Sequence, residues 1–110
     1  HARRLIGAPY DPFFLPGNGR FYCSELVSEC FRDPDGNLLF ALAPMNFKES
    51  SSGEPMAVWK DHFVKLGAPI PEGVPGMNPG ALSRSDRIRI VHAYGMPRGW
   101  DETTWRNLSR

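Results

Sequence analysis

Apolar side chains recur at helical spacing in two parts of the chain. Residues 23–32 place an apolar side chain every three or four positions, which predicts a helix with one apolar face formed by Leu26, Val27, Cys30 and Phe31. A second helix is predicted from Pro55, because proline suits the first turn of a helix. Gly67 closes this second helix, and its helically spaced positions are Val58, Trp59, His62, Phe63 and Leu66.

The remaining elements are short and separated by turns. Residues 2–6 are predicted to end a helix that Gly7 stops, and the Asp-Pro-Asp-Gly sequence at 33–36 predicts a turn. Residues 38–42 are a short apolar run that fits either a strand or a helix. In residues 88–94, every second position forms one set, Ile88, Ile90, His92 and Tyr94. This alternation predicts a strand with that set on one face.

The loops are rich in proline and glycine. Each of these residues occurs 11 times, which predicts short elements joined by ordered loops and argues against a helical bundle. The loop at 8–20 also holds three aromatic side chains, which we expect to pack against the body of the protein: Tyr10, Phe13 and Phe14. Residues 48–54 are predicted to form a polar surface loop, residues 68–83 an ordered connector, and residues 98–110 a C-terminal tail.

The composition fits one small domain or part of a larger one. The chain has 110 residues and is 41% hydrophobic, which is enough for an ordinary core. Its formal net charge is +1 and its arginines are scattered, which argues against nucleic acid as a partner. No apolar run approaches the roughly 20 residues that cross a bilayer. A bacterial envelope and the cytoplasm both fit this composition.

The two cysteines are expected to have different roles. Seven residues apart on one helix, Cys23 and Cys30 would lie about 10 Å from each other, beyond the roughly 7 Å limit for a disulfide. Their number and spacing also do not suit a structural zinc site. Cys30 falls on the apolar face in the middle of the helix, so we assign it to the core.

Cys23 stands where a glycine-containing loop turns into the first helix. The positive end of a helix favours a thiolate, which is the reactive form of cysteine. The free N–H groups there can also hold the oxyanion of a tetrahedral intermediate. Cys23 is therefore a candidate nucleophile, and the alternative is that it is a small buried apolar side chain.

The sequence around Cys23 resembles a family of cysteine hydrolases. The segment Gly-Ala-Pro-Tyr at 7–10, followed by a loop and by Tyr-Cys-Ser-Glu-Leu-Val at 22–27, resembles the active-site half of NlpC-type peptidases. Those proteins show Asp-Cys-Ser-Gly-Leu-Val, and this chain departs from them at Tyr22 and Glu25. It more closely resembles the circularly permuted branch, the YiiX-like papain-fold amidases, which also fits the Ile-Pro-x-Gly-x-Pro-Gly pattern at 70–76, Pro79, Leu82 and Ser85.

This resemblance implies a fold and a chemistry. The fold is α+β and papain-like, of the permuted NlpC type, with the nucleophile helix packed on a small antiparallel sheet that includes residues 88–94. Cys23 is the nucleophile of an amidase or peptidase, and it forms an acyl-thioester. Tyr10 matches a tyrosine whose hydroxyl reaches the oxyanion, or else it is a packed loop aromatic. Asp11 is expected to fix the loop, and no cofactor or metal is implied.

The resemblance leaves the general base open, although cysteine chemistry normally needs a histidine. The permuted branch carries that histidine upstream of the cysteine, where this chain has only His1. His92, on the predicted strand, is one candidate, and His62 is better explained as a half-buried helix residue. Our preferred interpretation is that residues 1–97 are the nucleophile-bearing part of an incomplete domain. An N-terminal half of the same protein would then supply the histidine and act as a partner.

Several functions remain open at this stage. The expected substrate is a small amide, a peptide or an N-acyl compound. A homologue without its histidine could instead be catalytically inactive and bind a ligand or serve a structural role. Lipid or acyl-ester hydrolysis and acyl transfer are also represented in the wider fold family. Proteins resembling lecithin retinol acyltransferase, however, show Asn-Cys-Glu-His-Phe at the nucleophile, where this chain has Tyr-Cys-Ser-Glu-Leu at 22–26.

Overall fold

The computed structural model describes residues 1–92 and 94–95. The chain divides into two compact units, His1–Met77 and Asn78–Arg110. Both helices and strands occur, so the fold is α+β. In the described residues the order of elements is a 3-10 helix at Ala2–Leu5, then α1 (Cys23–Cys30), β1 (Ala43–Pro44), α2 (Ala57–Leu66), β2 (Pro75–Gly76) and α3 (Pro79–Ser83).

Helix α1 begins at Cys23, as predicted, and is shorter than the pattern indicates. Phe31 takes an extended conformation and donates its N–H to the Ser28 carbonyl at 3.2 Å, which ends the helix at Cys30. The predicted turn at 33–36 is confirmed, since the N–H of Gly36 donates to the Asp33 carbonyl at 3.0 Å. That turn returns the chain so that Leu38 pairs with Arg32 in an isolated antiparallel bridge.

The predicted orientation of α1 is wrong. Leu26, Val27 and Phe31 were expected to face the core, yet their exposed fractions are 37%, 43% and 50%. Cys30 is only partly buried, so its assignment to the core is also wrong. The buried residues of α1 are instead the polar ones, Ser24, Glu25 and Ser28. The Ser24 hydroxyl donates to the Met77 carbonyl and Glu25 accepts the Tyr22 N–H, whereas the apolar side of α1 is left exposed.

The core of the first unit is an aromatic cluster around the ring of Phe14. Helix α2 contributes Trp59 and Phe63 to it, as the spacing predicts, whereas Val58 is exposed and the prediction for that position is wrong. Ring centroids lie 5.0 to 6.4 Å from that of Phe14 for Tyr22, Phe47, Trp59, His62 and Phe63. Aromatic pairs at such separations stabilise a core beyond the area they bury.

Helix α2 ends as predicted and begins later than predicted. Gly67 has φ 63°, the left-handed conformation that glycine adopts readily at a helix end. Its N–H donates to the Val64 carbonyl at 3.1 Å. At the other end Met56 is the N-cap, so Pro55 lies outside the helix and not in its first turn.

The sheet consists of two strands of two residues each. Strands β1 and β2 pair antiparallel, with Ala43 opposite Gly76 and Pro44 opposite Pro75. The predicted connector at 68–83 therefore contains β2 and α3. The apolar run at 38–42 belongs neither to a strand nor to a helix, although its Phe40 is buried. The expected small antiparallel sheet is present in this minimal form.

In the second unit, Asn78 caps α3 through its side chain, which accepts the Ala81 N–H at 2.8 Å. The predicted strand at 88–94 is wrong over residues 88–92. Residues 88–92 are described, and none of them belongs to a strand or bridge. Alternation alone does not make a strand, because the backbone also needs a paired neighbour. Ala93 and the predicted tail at 98–110 lie outside the described residues.

Candidate active site

Cys23 is a free, exposed thiol at the first position of α1. The loop before it turns with glycines in the left-handed region, Gly17 at φ 72° and Gly19 at φ 74°. The first hydrogen bond across the start of the helix runs from the Leu26 N–H to the Tyr22 carbonyl at 2.9 Å. The N–H groups that precede Leu26 in α1, including that of Cys23, therefore have no carbonyl partner within the helix. Such free N–H groups at a helix start can bind an anion.

The residues on either side of Cys23 are both anchored to Met77. The Tyr22 hydroxyl accepts the Met77 N–H at 2.9 Å, and the Ser24 hydroxyl donates to the Met77 carbonyl at 2.8 Å. Tyr22 and Ser24 are buried, whereas Cys23 between them is exposed. Met77 directly follows β2. The backbone of the candidate nucleophile is therefore fixed on both sides while its thiol remains accessible.

The Tyr22 hydroxyl lies close to residues in and next to the two strands. Its O–H also points to the Met45 sulfur at 3.6 Å. Burial raises the pKa of the Tyr22 phenol, so the hydroxyl stays protonated at neutral pH. Gly76 packs so closely here that a β-carbon would clash with the Met45 side chain, where it would meet Cγ at 2.6 Å, and would lie 2.8 Å from the Tyr22 hydroxyl oxygen. Glycine at position 76 allows this approach.

Tyr10 lies beside the segment that leads into α1. It forms an isolated parallel bridge with Phe21, and the flanking bonds run from the Asp11 N–H to the Phe21 carbonyl (3.2 Å) and from the Phe21 N–H to the Pro9 carbonyl (3.0 Å). Partial burial raises the pKa of the Tyr10 phenol, and the negative charges of Cys23 and Asp11 add to this effect. Tyr10 is therefore a hydrogen-bond donor at neutral pH.

Cys23 and Tyr10 line one cavity of about 300 Å³. Its other lining residues have apolar side chains: Leu5, Ala8, Phe21 and Leu26. The residues that line the cavity come from the 3-10 helix, the loop that carries Tyr10, and the segment that leads into and begins α1. The structure thus brings together two of the residues that the sequence selected, in a largely apolar setting.

Asp11 is fully buried and fixes the loop, as expected. Its carboxylate accepts the Phe13 N–H at 2.9 Å and the Leu15 N–H at 2.8 Å. Between these two residues Phe14 has φ 55°, a left-handed conformation that a bulky side chain rarely adopts. The two hydrogen bonds hold this conformation, which directs the Phe14 ring into the aromatic core.

Glu25 is a buried carboxyl that the sequence analysis did not select. Its Oε2 is 3.4 Å from the Tyr22 N–H, and its side chain is almost completely buried. Burial raises its pKa to about 7, and the charges of Asp11 and Glu29 add to this effect. A glutamate three residues after an N-cap residue is a helix-start signal that could have identified it.

The histidines occupy different environments. His62 is half-buried, as predicted, and its Nε2 lies 2.8 Å from the Pro12 carbonyl, so this nitrogen carries the proton and donates it to the bond. His1 is exposed next to the 3-10 helix. His92, in the second unit, is exposed and meets Tyr94 edge to face at a centroid distance of 4.7 Å. The Nε2 of His62 is thus occupied by its bond to the loop, and His92 stays a candidate for the base.

The described part of the chain contains no group of three or more His, Cys, Asp or Glu side chains that could hold a metal ion. None of its helices has the length and hydropathy required to cross a membrane.

An accessible cysteine at a helix start, beside a tyrosine and an apolar cavity, is the arrangement expected of a papain-type cysteine hydrolase. A family model described as permuted papain-like amidase enzyme, YaeF/YiiX, C92 family, matches residues 1–92. The chain belongs to this family, which confirms the resemblance seen in the sequence. At the family level it is a papain-like cysteine hydrolase of the amidase or peptidase class. No curated protein and no solved structure matches the chain.

Proposed function

We propose that this chain hydrolyses an amide bond through an acyl-thioester on Cys23. The observation that carries this proposal is the position of Cys23, which is exposed between two residues that are both hydrogen-bonded to Met77. A nucleophile must be accessible and held in a fixed position relative to the groups that stabilise its transition state. Cys23 meets both requirements, whereas Cys30 is the last residue of α1, at the opposite end of the helix.

The reaction has two stages. The Cys23 thiolate attacks the carbonyl carbon of the amide and forms a tetrahedral oxyanion. Collapse of this intermediate breaks the carbon–nitrogen bond, leaves the acyl group on sulfur, and releases the amine with a proton from the general acid. Water, deprotonated by the same group acting as base, then attacks the thioester and returns the thiolate with release of the carboxylic acid.

Two donors are available for the oxyanion. The backbone N–H of Cys23 lies at the start of α1, ahead of the helical ladder. Tyr10 lines the same cavity as Cys23 and keeps its phenolic proton at neutral pH. A donor aimed at a developing oxyanion typically contributes about 10²–10³ in rate. We assign both groups to this role.

The general base is proposed to come from an N-terminal half of the same protein. Val27 on α1, the helix that carries the nucleophile, and Phe31 directly after that helix are exposed apolar side chains. Exposed apolar surface of this kind commonly marks the place where another part of a protein packs. The proposal also follows the resemblance to the branch whose histidine precedes the cysteine. His92 is the alternative base within this chain.

The first experiment tests Cys23 with a matched cysteine control. The protein is isolated as its own gene expresses it, its intact mass is measured, and release of nitroaniline from N-acyl p-nitroanilides is followed. Cys23→Ser should abolish release, and Cys30→Ser should retain it. If wild type and Cys23→Ser bind the anilides equally and neither hydrolyses them, the protein is a ligand-binding homologue.

The base is tested with the same assay. His92→Ala should leave hydrolysis within about twofold of wild type, because the proposed histidine lies in the N-terminal half. An intact mass above 12.4 kDa, or a second polypeptide in the native complex, is the expected companion result. Loss of hydrolysis in His92→Ala would contradict the proposed source of the base and would leave Cys23 as the nucleophile.

A further inference from the structure

We propose that the active site takes a negatively charged substrate, an amide that carries a carboxylate or a phosphate group close to the bond that is cleaved. This inference rests on the proposed function and specifies the substrate class of the same site. It starts from the charges of residues 2–26, a stretch that includes every residue lining the cavity beside Cys23.

The charged side chains of residues 2–26 are separated by sign. The basic ones, Arg3, Arg4 and Arg20, are all exposed. The acidic ones, Asp11 and Glu25, are both buried and accept hydrogen bonds from backbone N–H groups. Burial also raises the pKa of Glu25 to about 7, so this carboxyl is only partly ionised at neutral pH. Every exposed charged side chain on this stretch is therefore basic.

None of these three arginines forms an ion pair with a described residue. The ion pairs that the described part of the chain contains are Arg32 with Glu29 and Arg87 with Asp86. A guanidinium group presents planar N–H donors that match the two oxygens of a carboxylate or a phosphate. The exposed arginines of residues 2–26 are therefore available to an anionic group of the substrate.

The positive charges lie close to the candidate nucleophile. Arg20 precedes Cys23 by three positions, so their α-carbons are at most about 11 Å apart even if the chain between them is fully extended. Arg4 directly precedes Leu5, which lines the same cavity as Cys23. Salt screens exposed charges over about 10 Å at 0.1 M ionic strength, so these charges act at Cys23. A positive potential at an active site raises the local concentration of negatively charged substrates.

The surroundings of Cys30 have the opposite charge balance and provide an internal control. Glu29, next to Cys30, pairs with Arg32. Asp33 and Asp35 follow, and no further basic residue occurs before position 48. The two cysteines of one chain therefore lie in settings of opposite sign, which a pair of charged reagents can compare directly.

The first test uses two thiol reagents of opposite charge. The protein, isolated as its own gene expresses it, is treated with sulfonatoethyl or trimethylammonioethyl methanethiosulfonate at low ionic strength. Peptide mass spectrometry gives the modification rate of each cysteine, and the charge ratio is the rate with the negative reagent divided by that with the positive one. A unit charge about 10 Å away in water changes each rate about twofold, in opposite directions, and the charge ratio about fourfold. The charge ratio at Cys23 should therefore exceed that at Cys30 by at least about fourfold. A ratio at Cys23 equal to or below that at Cys30 would overturn the proposal.

Added salt checks that the difference is electrostatic. Raising the ionic strength from about 0.01 M to about 1 M shortens the screening length from about 30 Å to about 3 Å. The charge ratios at Cys23 and Cys30 should then approach each other. A difference that does not respond to salt would mean that charge does not cause it, and the proposal would fail.

Variants of the arginines provide the second part of the test. Arg4→Gln and Arg20→Gln should each lower the charge ratio at Cys23 by about twofold to fourfold, whereas Arg20→Lys, which keeps the charge, should retain it. Lys48→Gln is the matched control, because it removes one positive charge from an exposed position outside residues 2–26. It should leave the charge ratio at Cys23 unchanged. If both arginine variants fold, as judged by circular dichroism, and neither lowers the ratio more than Lys48→Gln does, the proposal is wrong.

Protection by small amides distinguishes a carboxylate from a phosphate. N-acetylglycine and N-acetylaminoethyl phosphate carry these groups, and N-acetylglycinamide and N-acetylethanolamine are their neutral counterparts. Labelling of Cys23 by the neutral reagent methyl methanethiosulfonate is followed with each compound at matched ionic strength. Slower labelling with one anion than with its neutral counterpart identifies the group that the site prefers. If neither anion protects Cys23 better than its counterpart, the proposal is contradicted. Because labelling does not require hydrolysis, a protein that shows these charge effects without hydrolysing amides would refute only the proposed function.

Discussion

The hydroxyl oxygen of Tyr22 lies 2.9 Å from the backbone nitrogen of Met77 and accepts its hydrogen bond. This contact joins residues 55 positions apart, at the start of α1 and just beyond β2. Together with the bond from the Ser24 hydroxyl to the Met77 carbonyl, it fixes the backbone on both sides of Cys23. The position of the candidate nucleophile therefore depends on a peptide unit from a distant loop.

Removal of the Tyr22 hydroxyl should destabilise the protein. Tyr22→Phe leaves the buried Met77 N–H without its acceptor, and an unsatisfied buried donor costs about 1–3 kcal/mol. The free energy of unfolding, measured by urea titration, should fall by that amount. Tyr10→Phe is the control, since Tyr10 is 59% exposed and should change the unfolding free energy by less than about 0.5 kcal/mol. Equal effects of the two substitutions would contradict the importance of this contact.

A methyl group at position 76 should disturb the same region. Gly76→Ala would bring a β-carbon into the Met45 side chain and close to the Tyr22 hydroxyl. Overpacking of this kind typically costs about 1–3 kcal/mol, which urea titration can detect. Gly80→Ala is the control, because the nearest atoms to its β-carbon are side-chain ends at 3.2 Å or more and it lies within α3. A Gly76→Ala protein as stable as wild type would show that the approach is not tight.

Glu25 should make stability depend on pH. Burial raises its pKa from 4.5 to about 7, so the folded state binds this proton more tightly than the unfolded state. The resulting stabilisation is fully present below pH 4.5 and is lost as the pH rises through about 7. Because one pKa unit corresponds to about 1.4 kcal/mol, this stabilisation amounts to at most roughly 3 kcal/mol.

A pair of variants isolates this effect. The Glu25→Gln protein has no ionisable side chain at position 25. Its urea unfolding midpoint should therefore change much less between pH 4.5 and pH 8 than that of wild type. Glu54→Gln, at an exposed loop position, should show the same change of urea midpoint with pH as wild type. If the urea midpoints of Glu25→Gln and wild type change equally with pH, Glu25 does not control the pH dependence of stability.

Asp11 should be essential for the loop that carries Tyr10 and Phe14. Asp11→Ala leaves the N–H groups of Phe13 and Leu15 without their acceptor. Stability should fall by about 2–4 kcal/mol, because two hydrogen bonds to a charged group are lost. Amide hydrogen exchange should speed up first at Phe13 and Leu15. Asp11→Asn keeps one carbonyl acceptor and should lose less, and exchange that is unchanged in both variants would contradict this role.

Several features of the fold and site were predictable because they depend on neighbouring residues. The start of α1 at Cys23, the turn at 33–36 and the left-handed Gly67 each follow from capping and turn preferences that operate over a few positions. The resemblance to the family also rests on motifs that are local in sequence, and the family match over residues 1–92 confirms that resemblance.

Other features were decided by the tertiary structure. The apolar periodicity of α1 predicted the buried face wrongly, because its polar side is drawn inward by two hydrogen bonds. The Ser24 hydroxyl donates to the Met77 carbonyl, and the Glu25 carboxyl accepts the Tyr22 N–H. No local pattern links Tyr22 to Met77, since long-range packing alone brings them together. The alternation at 88–94 likewise predicted a strand that residues 88–92, all of them described, do not form.

The sequence by itself therefore determined which residues are candidates for the chemistry, because a thiol at a helix start and a nearby tyrosine are set by residue type and short-range spacing. Only the tertiary structure decided which surfaces surround them. The apolar cavity beside Cys23 depends on two segments of the chain, residues 5–10 and 21–26. Their convergence is a property of packing, because side chains far apart in sequence meet only when the whole unit folds.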